Sequence, residues 1–117
     1  IENIKHGIFT KYFTAKKDQF LLDSEIKELV NFSSYDLISA KSAAPPESIF
    51  GGFDMVLCRN VLIYYDLQNQ EIIFNKLYKT LNVGGYLILG ESEVIPQSLS
   101  CHFQRESNLM KIYRKLR

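Results

Sequence analysis

Two short apolar runs with one amphipathic helix between them limit what this 117-residue chain can fold into more than any other feature. Phe53-Asp54-Met55-Val56-Leu57-Cys58 is mostly apolar and is ended abruptly by Arg59 and Asn60, the pattern of a strand buried on both faces. Asp66 is placed to cap the next helix, its carboxylate accepting from the backbone N–H of Gln68 or Asn69. Asn69 is not the Glu or Gln of a full capping box. Ile73, Leu77 and Leu81 recur four apart, while Gln68, Asn75, Lys76 and Lys79 supply the polar positions. Gly84-Gly85 is expected to stop this helix, and Tyr86-Leu87-Ile88-Leu89-Gly90 reads as a second buried strand. Strand, helix and strand this close in sequence make a βαβ unit, with parallel strands and a right-handed crossover.

The rest of the chain is less regular. Ile1, Ile4 and Ile8 fit the tail of a helix that Gly7 can stop. Residues 10–23 read as a hairpin, with Tyr12 and Phe13 on one arm, Phe20 to Leu22 on the other, and polar Lys16 to Gln19 as the turn. Glu25 to Leu29 is expected to be a polar link, and Val30 to Ile38 a further strand. Lys41 to Gly52, with Pro45-Pro46 and Gly51-Gly52, has loop chemistry. His102 to Glu106 and Leu109 to Arg114 read as a terminal strand pair turning at Ser107-Asn108. The chain is therefore α/β and long enough for one domain, and its 46% hydrophobic residues suffice for a core.

Composition narrows the functional classes. Fourteen basic and 13 acidic residues give a net charge of +1, which argues against a nucleic-acid footprint. The basic end at Lys111, Arg114, Lys115 and Arg117 reads as a solvated terminus. Cys58 and Cys101 are too few for a disulfide framework, and Cys58 in its apolar run reads as a buried reduced thiol. No Cys or His spacing suits a metal, so none is expected. No apolar stretch approaches the roughly 20 residues of a membrane span, so the expected location is cytoplasmic.

In open α/β sheets, ligands bind beyond the carboxyl ends of the strands. The first strand delivers Arg59 and Asn60 there, and the second delivers Gly90, Glu91, Ser92 and Glu93, at the same sheet edge. Arg59 can pair with a ligand carboxylate or bridge to Glu91. Asn60 can hydrogen-bond a ligand or stabilise the turn. Of Tyr64 and Tyr65, one reads as core and the other as presenting its hydroxyl to the crevice. Asp36, near the end of a predicted strand, can accept from a base or ribose or act as a turn residue. Glu91 and Glu93 can form an acid/base pair, although a solvated loop is the stronger expectation. The chain contains no glycine-rich dinucleotide or phosphate loop and no nucleophile elbow.

Phe53 to Asp66, FDMVLCRNVLIYYD, resembles the segment F-D-x-[IV]-x-C-R-N-V-x-I-Y-[FY]-[DE] of CheR-type methyltransferases. Leu81 to Glu93, LNVGGYLILGESE, is similar to that family's L-x-P-G-G-x-L-x-L-G-H-S-E, with Val83 in place of Pro and Glu91 in place of His. Phe103 to Tyr113 resembles the family's final strand pair, and weaker similarity reaches back to Gly7. The resemblance implies a partial Rossmann-like class I methyltransferase sheet carrying an inserted small antiparallel β-subdomain. Residues 10–32 would be that hairpin subdomain, and residues 53–117 the βαβ unit with its terminal strand pair. It implies S-adenosylmethionine as cofactor and methyl transfer to glutamate side chains of chemoreceptors. Arg59 and Tyr64 match positions lining the cofactor and the methyl-transfer site, Arg59 positioning a carboxylate and Tyr64 orienting the reacting groups. Asp36 and Leu37 match the family's Asn-Leu pair beside the adenine, with one donor lost because Asp replaces Asn. Asn60 completes the expected cofactor set. The hairpin edge can add a receptor tail as an extra strand.

The family's glycine-rich cofactor loop, ribose-binding acid and first two core strands would precede Ile1, where the chain opens inside a helical pattern. Taken alone, the 117 residues are expected to leave a gap and an exposed edge in the sheet. Rearrangement or self-association would follow, without activity. The alternative is a non-catalytic methyltransferase-like module that binds a receptor or signalling partner.

Overall fold

The computed structural model describes residues 4–39, 45 and 51–117. It divides the chain into two compact units, Ile1–Phe32 and Ser33–Arg117. Ile1 and most of the loop expected over residues 41–52 lie outside the described residues. No described helix is long and apolar enough to cross a membrane.

In the first unit, helix α1 (His6–Tyr12) leads directly into β1 (Phe13–Lys16), which pairs antiparallel with β2 (Gln19–Leu22). Lys16 pairs with Gln19, so the turn is narrower than expected. A two-residue hairpin turn favours left-handed backbone, and Lys17 supplies it with φ 53°. Gly7 does not stop α1. The helix runs on to Tyr12 because Phe9 stacks on Phe13 at 5.0 Å and meets Phe20 edge-on at 4.7 Å, a ring cluster that needs both helix and hairpin. The expected polar link instead forms a short helix α2 (Ser24–Glu28). The strand expected over Val30 to Ile38 is absent. Phe32 is 96% exposed, and the boundary between the two units falls inside that segment, leaving it no ladder to join.

The second unit carries a mixed sheet, β3 (Phe53–Cys58), β4 (Leu81–Leu89), β5 (Phe103–Arg105) and β6 (Ile112–Lys115), in the order β3-β4-β6-β5. β3 and β4 are parallel and joined by α3 (Leu67–Thr80), as the βαβ reading requires. The β4–β6 and β6–β5 pairs are antiparallel. Asp66 caps α3, its Oδ1 accepting from the N–H of Asn69 at 2.8 Å. Gly84 and Gly85 do not end this helix: it stops at Thr80, and both glycines lie within β4. Their role is in the sheet, where the β3–β4 register slips between Phe53 and Met55. A Cβ on Gly85 would meet the Asn82 and Asp54 carbonyl oxygens at 2.9 Å, so only glycine lets the strands approach at this bulge.

One face of this sheet packs on α3. Ile73 and Phe74 from the helix meet Cys58, Leu81, Leu87 and Leu89 from the strands, with Leu62, Leu99 and Phe103 completing the cluster. The expectation that β3 is buried on both faces does not hold. Val56 and Cys58 face the core, whereas Met55 and Leu57 are 53% and 64% exposed on the outermost of the described strands. The terminal strand pair forms, with a longer connection than expected. Ser107 Oγ accepts from the N–H groups of Leu109 and Met110, each at 3.2 Å, and so opens the turn.

Candidate functional site

Cys58 and Leu89 are register partners, so the parallel strands β3 and β4 end side by side. Their exits bring Arg59 and Asn60 beside the Gly90–Glu93 loop, as the motif positions predict. The connection is made by a residue the sequence assigned to a solvated loop. Glu93 is only 3% exposed. Its Oε1 accepts from the N–H groups of Asn60 at 2.9 Å and Gly90 at 2.7 Å. Its Oε2 accepts from Val61 at 3.2 Å and Leu62 at 2.7 Å. Burial disfavours the charge, but these backbone donors outweigh it and hold the Glu93 carboxyl below its ordinary value. Glu91, by contrast, is exposed. The two glutamates therefore do not form an acid/base pair, since both Glu93 oxygens are already occupied.

The loop that Glu93 grips is bent back on itself. Asn60 adopts φ 59°, a left-handed conformation that Asn tolerates better than most residues. The next residues form a 3₁₀ turn, Leu62–Tyr64. From the other side, Gln70 Nε2 on α3 donates to the carbonyls of Leu62 and Tyr65, both at 2.9 Å. Glu93 thus takes the donors of the turn and Gln70 its acceptors. Lys111 Nζ in turn donates to the Glu93 carbonyl at 2.6 Å, tying the loop after β4 to the start of β6.

What remains free at this edge is specific. Arg59 is exposed and makes no hydrogen bond or ion pair among the described residues, so the bridge to Glu91 is not formed. Tyr64 is 82% exposed, whereas Tyr65 packs against the core, which divides the two tyrosines as expected. The Asn60 backbone serves the turn, and its side chain is exposed. Cys58, beneath the loop, is buried, and burial together with the Glu93 charge pushes its thiol up to about 11. It stays protonated at neutral pH and is no nucleophile. Among the described residues no three His, Cys, Asp or Glu side chains gather where a metal ion fits.

Asp36 and Leu37 are held elsewhere. Asp36 Oδ1 accepts from the N–H groups of Ile38 at 2.9 Å and Ser39 at 3.3 Å, closing a tight turn. Leu37 packs against the core cluster. This turn is clamped by Lys76, which the sequence placed on the solvent face of α3 and which is in fact 9% exposed. Lys76 Nζ donates to the carbonyls of Asp36 and Ser39. Lys76 lies nine residues beyond the first residue of α3, roughly 13 Å along its axis. The helix start adjoins the Arg59–Tyr65 loop, so the two groups are anchored at different levels of the helix.

Periodicity does not reveal Glu93 and Lys76 as the anchors of these two segments. Glu93 had a local signal: it stands three residues after Gly90, the spacing at which a glutamate reaches back to a backbone N–H. Lys76 had none, because its partners are forty and thirty-seven residues away. An open groove of about 490 Å³ runs beside the loop, walled by Leu62, Ile63, Leu67, Val94, Ile95 and Glu93. Arg59, Asn60 and Tyr64 stand outside it.

Comparison with known proteins follows this geometry. A family model described as CheR methyltransferase, SAM binding domain, matches residues 1–111. The chain is similar to the chemotaxis protein methyltransferase Cher2 of Pseudomonas putida, 36% identical over 80% of this chain and 32% of that protein. It has the same identity and coverage with chemotaxis protein methyltransferase 1 of Pseudomonas aeruginosa. With a chemotaxis protein methyltransferase of Vibrio parahaemolyticus it is 40% identical over 72% of this chain and 28% of that protein. The chain spans about a third of the length of these curated relatives.

Proposed function

This chain belongs to the CheR methyltransferase, SAM-binding domain, family, and from that premise we propose that its β3–β4 edge binds S-adenosylmethionine for O-methylation of chemoreceptor glutamates. The observation that carries this reading is Arg59, a cation without a partner among the described residues where the two parallel strands end. The three backbone N–H groups after it, which otherwise suit an anion, are taken by Glu93. Lys111 is spent on the Glu93 carbonyl. A ligand carboxylate at this edge therefore has the Arg59 guanidinium to meet.

The residues present fit the cofactor's amino-acid end: Arg59 for its carboxylate and the Asn60 amide for its polar groups. Bound S-adenosylmethionine supplies a methyl group activated by a positively charged sulfur. A glutamate carboxylate is already a competent oxygen nucleophile, so the chain has to align and desolvate rather than abstract a proton. The exposed Tyr64 hydroxyl is suited to orienting that carboxylate. Asp36 and Leu37 are assigned to the adenine end. Asp36 brings its second carboxylate oxygen, which has no hydrogen bond among the described residues.

The parallel β3–α3–β4 unit followed by β5 and β6 supports reading residues 53–117 as part of a Rossmann-like methyltransferase sheet. The hairpin within 10–32 is assigned to receptor-tail recognition by strand addition along its exposed edge. Strand β3, outermost among the described strands with Met55 and Leu57 exposed, supports the reading that the chain on its own pairs with a second copy. Incubation of this chain within a full-length family member, with methyl-tritiated S-adenosylmethionine and a chemoreceptor cytoplasmic fragment, tests the activity; the chain alone is expected to transfer no label. Base-labile label on the receptor, released as methanol and lost with Arg59→Ala, is expected of glutamyl methyl esters. Receptor binding without label would support the non-catalytic module instead.

A further inference from the structure

The loop carrying Arg59 and Tyr64 does not hold its shape by itself. It begins with a left-handed residue, Asn60 at φ 59°, a conformation disfavoured for L-residues, although less so for Asn than for most. It then points three successive N–H groups, of Asn60, Val61 and Leu62, toward one spot in the interior. The Leu62 N–H is buried and those of Asn60 and Val61 are partly so, and N–H groups withdrawn from water without an acceptor are destabilising. Glu93 is their acceptor, and it adds the Gly90 N–H from the opposite strand exit. Gly90 has no side chain to obstruct it: a Cβ there would lie 2.7 Å from Glu93 Oε1 and 2.5 Å from Asn60 Oδ1.

We infer that Glu93 is a positioning residue for the cofactor edge, its carboxylate fixing the Arg59–Tyr64 loop through the four backbone N–H groups it gathers. This rests on the reading that the edge binds S-adenosylmethionine. The charge on Glu93 is matched by backbone dipoles rather than by a cation. Arg59 makes no ion pair among the described residues, and the Lys111 ammonium sits on the Glu93 carbonyl. Arg59 is thereby left to a ligand. Each carboxylate oxygen takes two donors, so Glu93 has no capacity left to act on substrate itself. A glutamine of the same shape does not substitute. Whichever way its amide is turned, the NH₂ confronts two N–H donors, either Asn60 and Gly90 or Val61 and Leu62.

The test compares Glu93→Gln with Leu99→Ala, a core truncation at a buried residue whose side chain takes no part in the hydrogen bonds that Glu93 gathers. Both variants of the full chain are titrated calorimetrically with S-adenosylhomocysteine, and their amide spectra and hydrogen exchange are recorded. Glu93→Gln is expected to bind at least tenfold more weakly and to lose the downfield shifts and exchange protection of residues 60–62. Leu99→Ala is expected to lower the melting temperature while keeping wild-type affinity and those amide signals. Equal loss of affinity in both variants, or unchanged amides in Glu93→Gln, overturns the inference. If wild type itself binds no S-adenosylhomocysteine, the cofactor reading fails. The amide comparison then still decides whether Glu93 sets the loop.

Discussion

At Gly90 the chain passes so close to its neighbours that the identity of one hydrogen-sized side chain matters. Gly90→Ala places a methyl against the Asn60 side chain, the Asn60 N–H and the Glu93 carboxylate. The expected cost is about 1–3 kcal/mol, from overpacking rather than from any change in backbone preference. Urea unfolding reads it directly, and a midpoint unchanged from wild type would contradict the close packing. The Glu93 carboxylate also gives the protein an acid-sensitive contribution. Its folded pKa is lowered relative to the ordinary value it keeps in the unfolded chain. Its stabilisation is therefore complete above the unfolded value and lost as pH falls through the folded one. The melting temperatures of wild type and Glu93→Gln should differ at neutral pH and converge in acid. A gap constant with pH would mean the carboxylate charge contributes nothing.

At the scale of elements, α3 is secured at its start by a cap and along its length by a buried lysine. Asp66→Ala removes the acceptor of the Asn69 N–H, with an expected loss of about 1 kcal/mol in a urea titration. Lys76→Met leaves the Asp36 and Ser39 carbonyls without their ammonium. Faster amide exchange over residues 36–39, with the Arg59 loop unaffected, is the expected signature. Uniform acceleration across the unit would show that Lys76 supports the whole fold instead. The contrast explains what the sequence made legible. Asp66, β3, α3 and β4 follow local rules of capping and periodicity, so pattern reading found them. Gly84-Gly85 looked like a helix stop because that rule is local too, but the β3–β4 bulge that uses them is a tertiary event. Val30 to Ile38 carried strand-like residues without a partner strand to receive them. Glu93 and Lys76 looked solvated because charge predicts exposure, and only their distant backbone partners explain their burial.

The whole molecule follows from that division. Its sheet is covered on one face by α3, and its outer strand β3 leaves Met55 and Leu57 exposed. Substituting either by Thr should change stability by less than about 0.5 kcal/mol. Leu87→Ala, at a position 1% exposed on the covered face, should cost about 2–5 kcal/mol. Similar losses at both positions in thermal or urea melts would contradict the one-sided core. The paired strand ends were legible as a candidate site because ligands in parallel α/β sheets bind beyond the strands' carboxyl ends. Which groups stay free there became clear only once Glu93 was seen to consume the neighbouring N–H groups. The account therefore turns on Arg59 as the cation left for a ligand. The measurement that tests it most directly is calorimetric titration of the full chain with S-adenosylhomocysteine, repeated on Arg59→Ala. The account predicts saturable binding by wild type that is lost in the variant with the fold unchanged. Wild-type affinity in Arg59→Ala would contradict it.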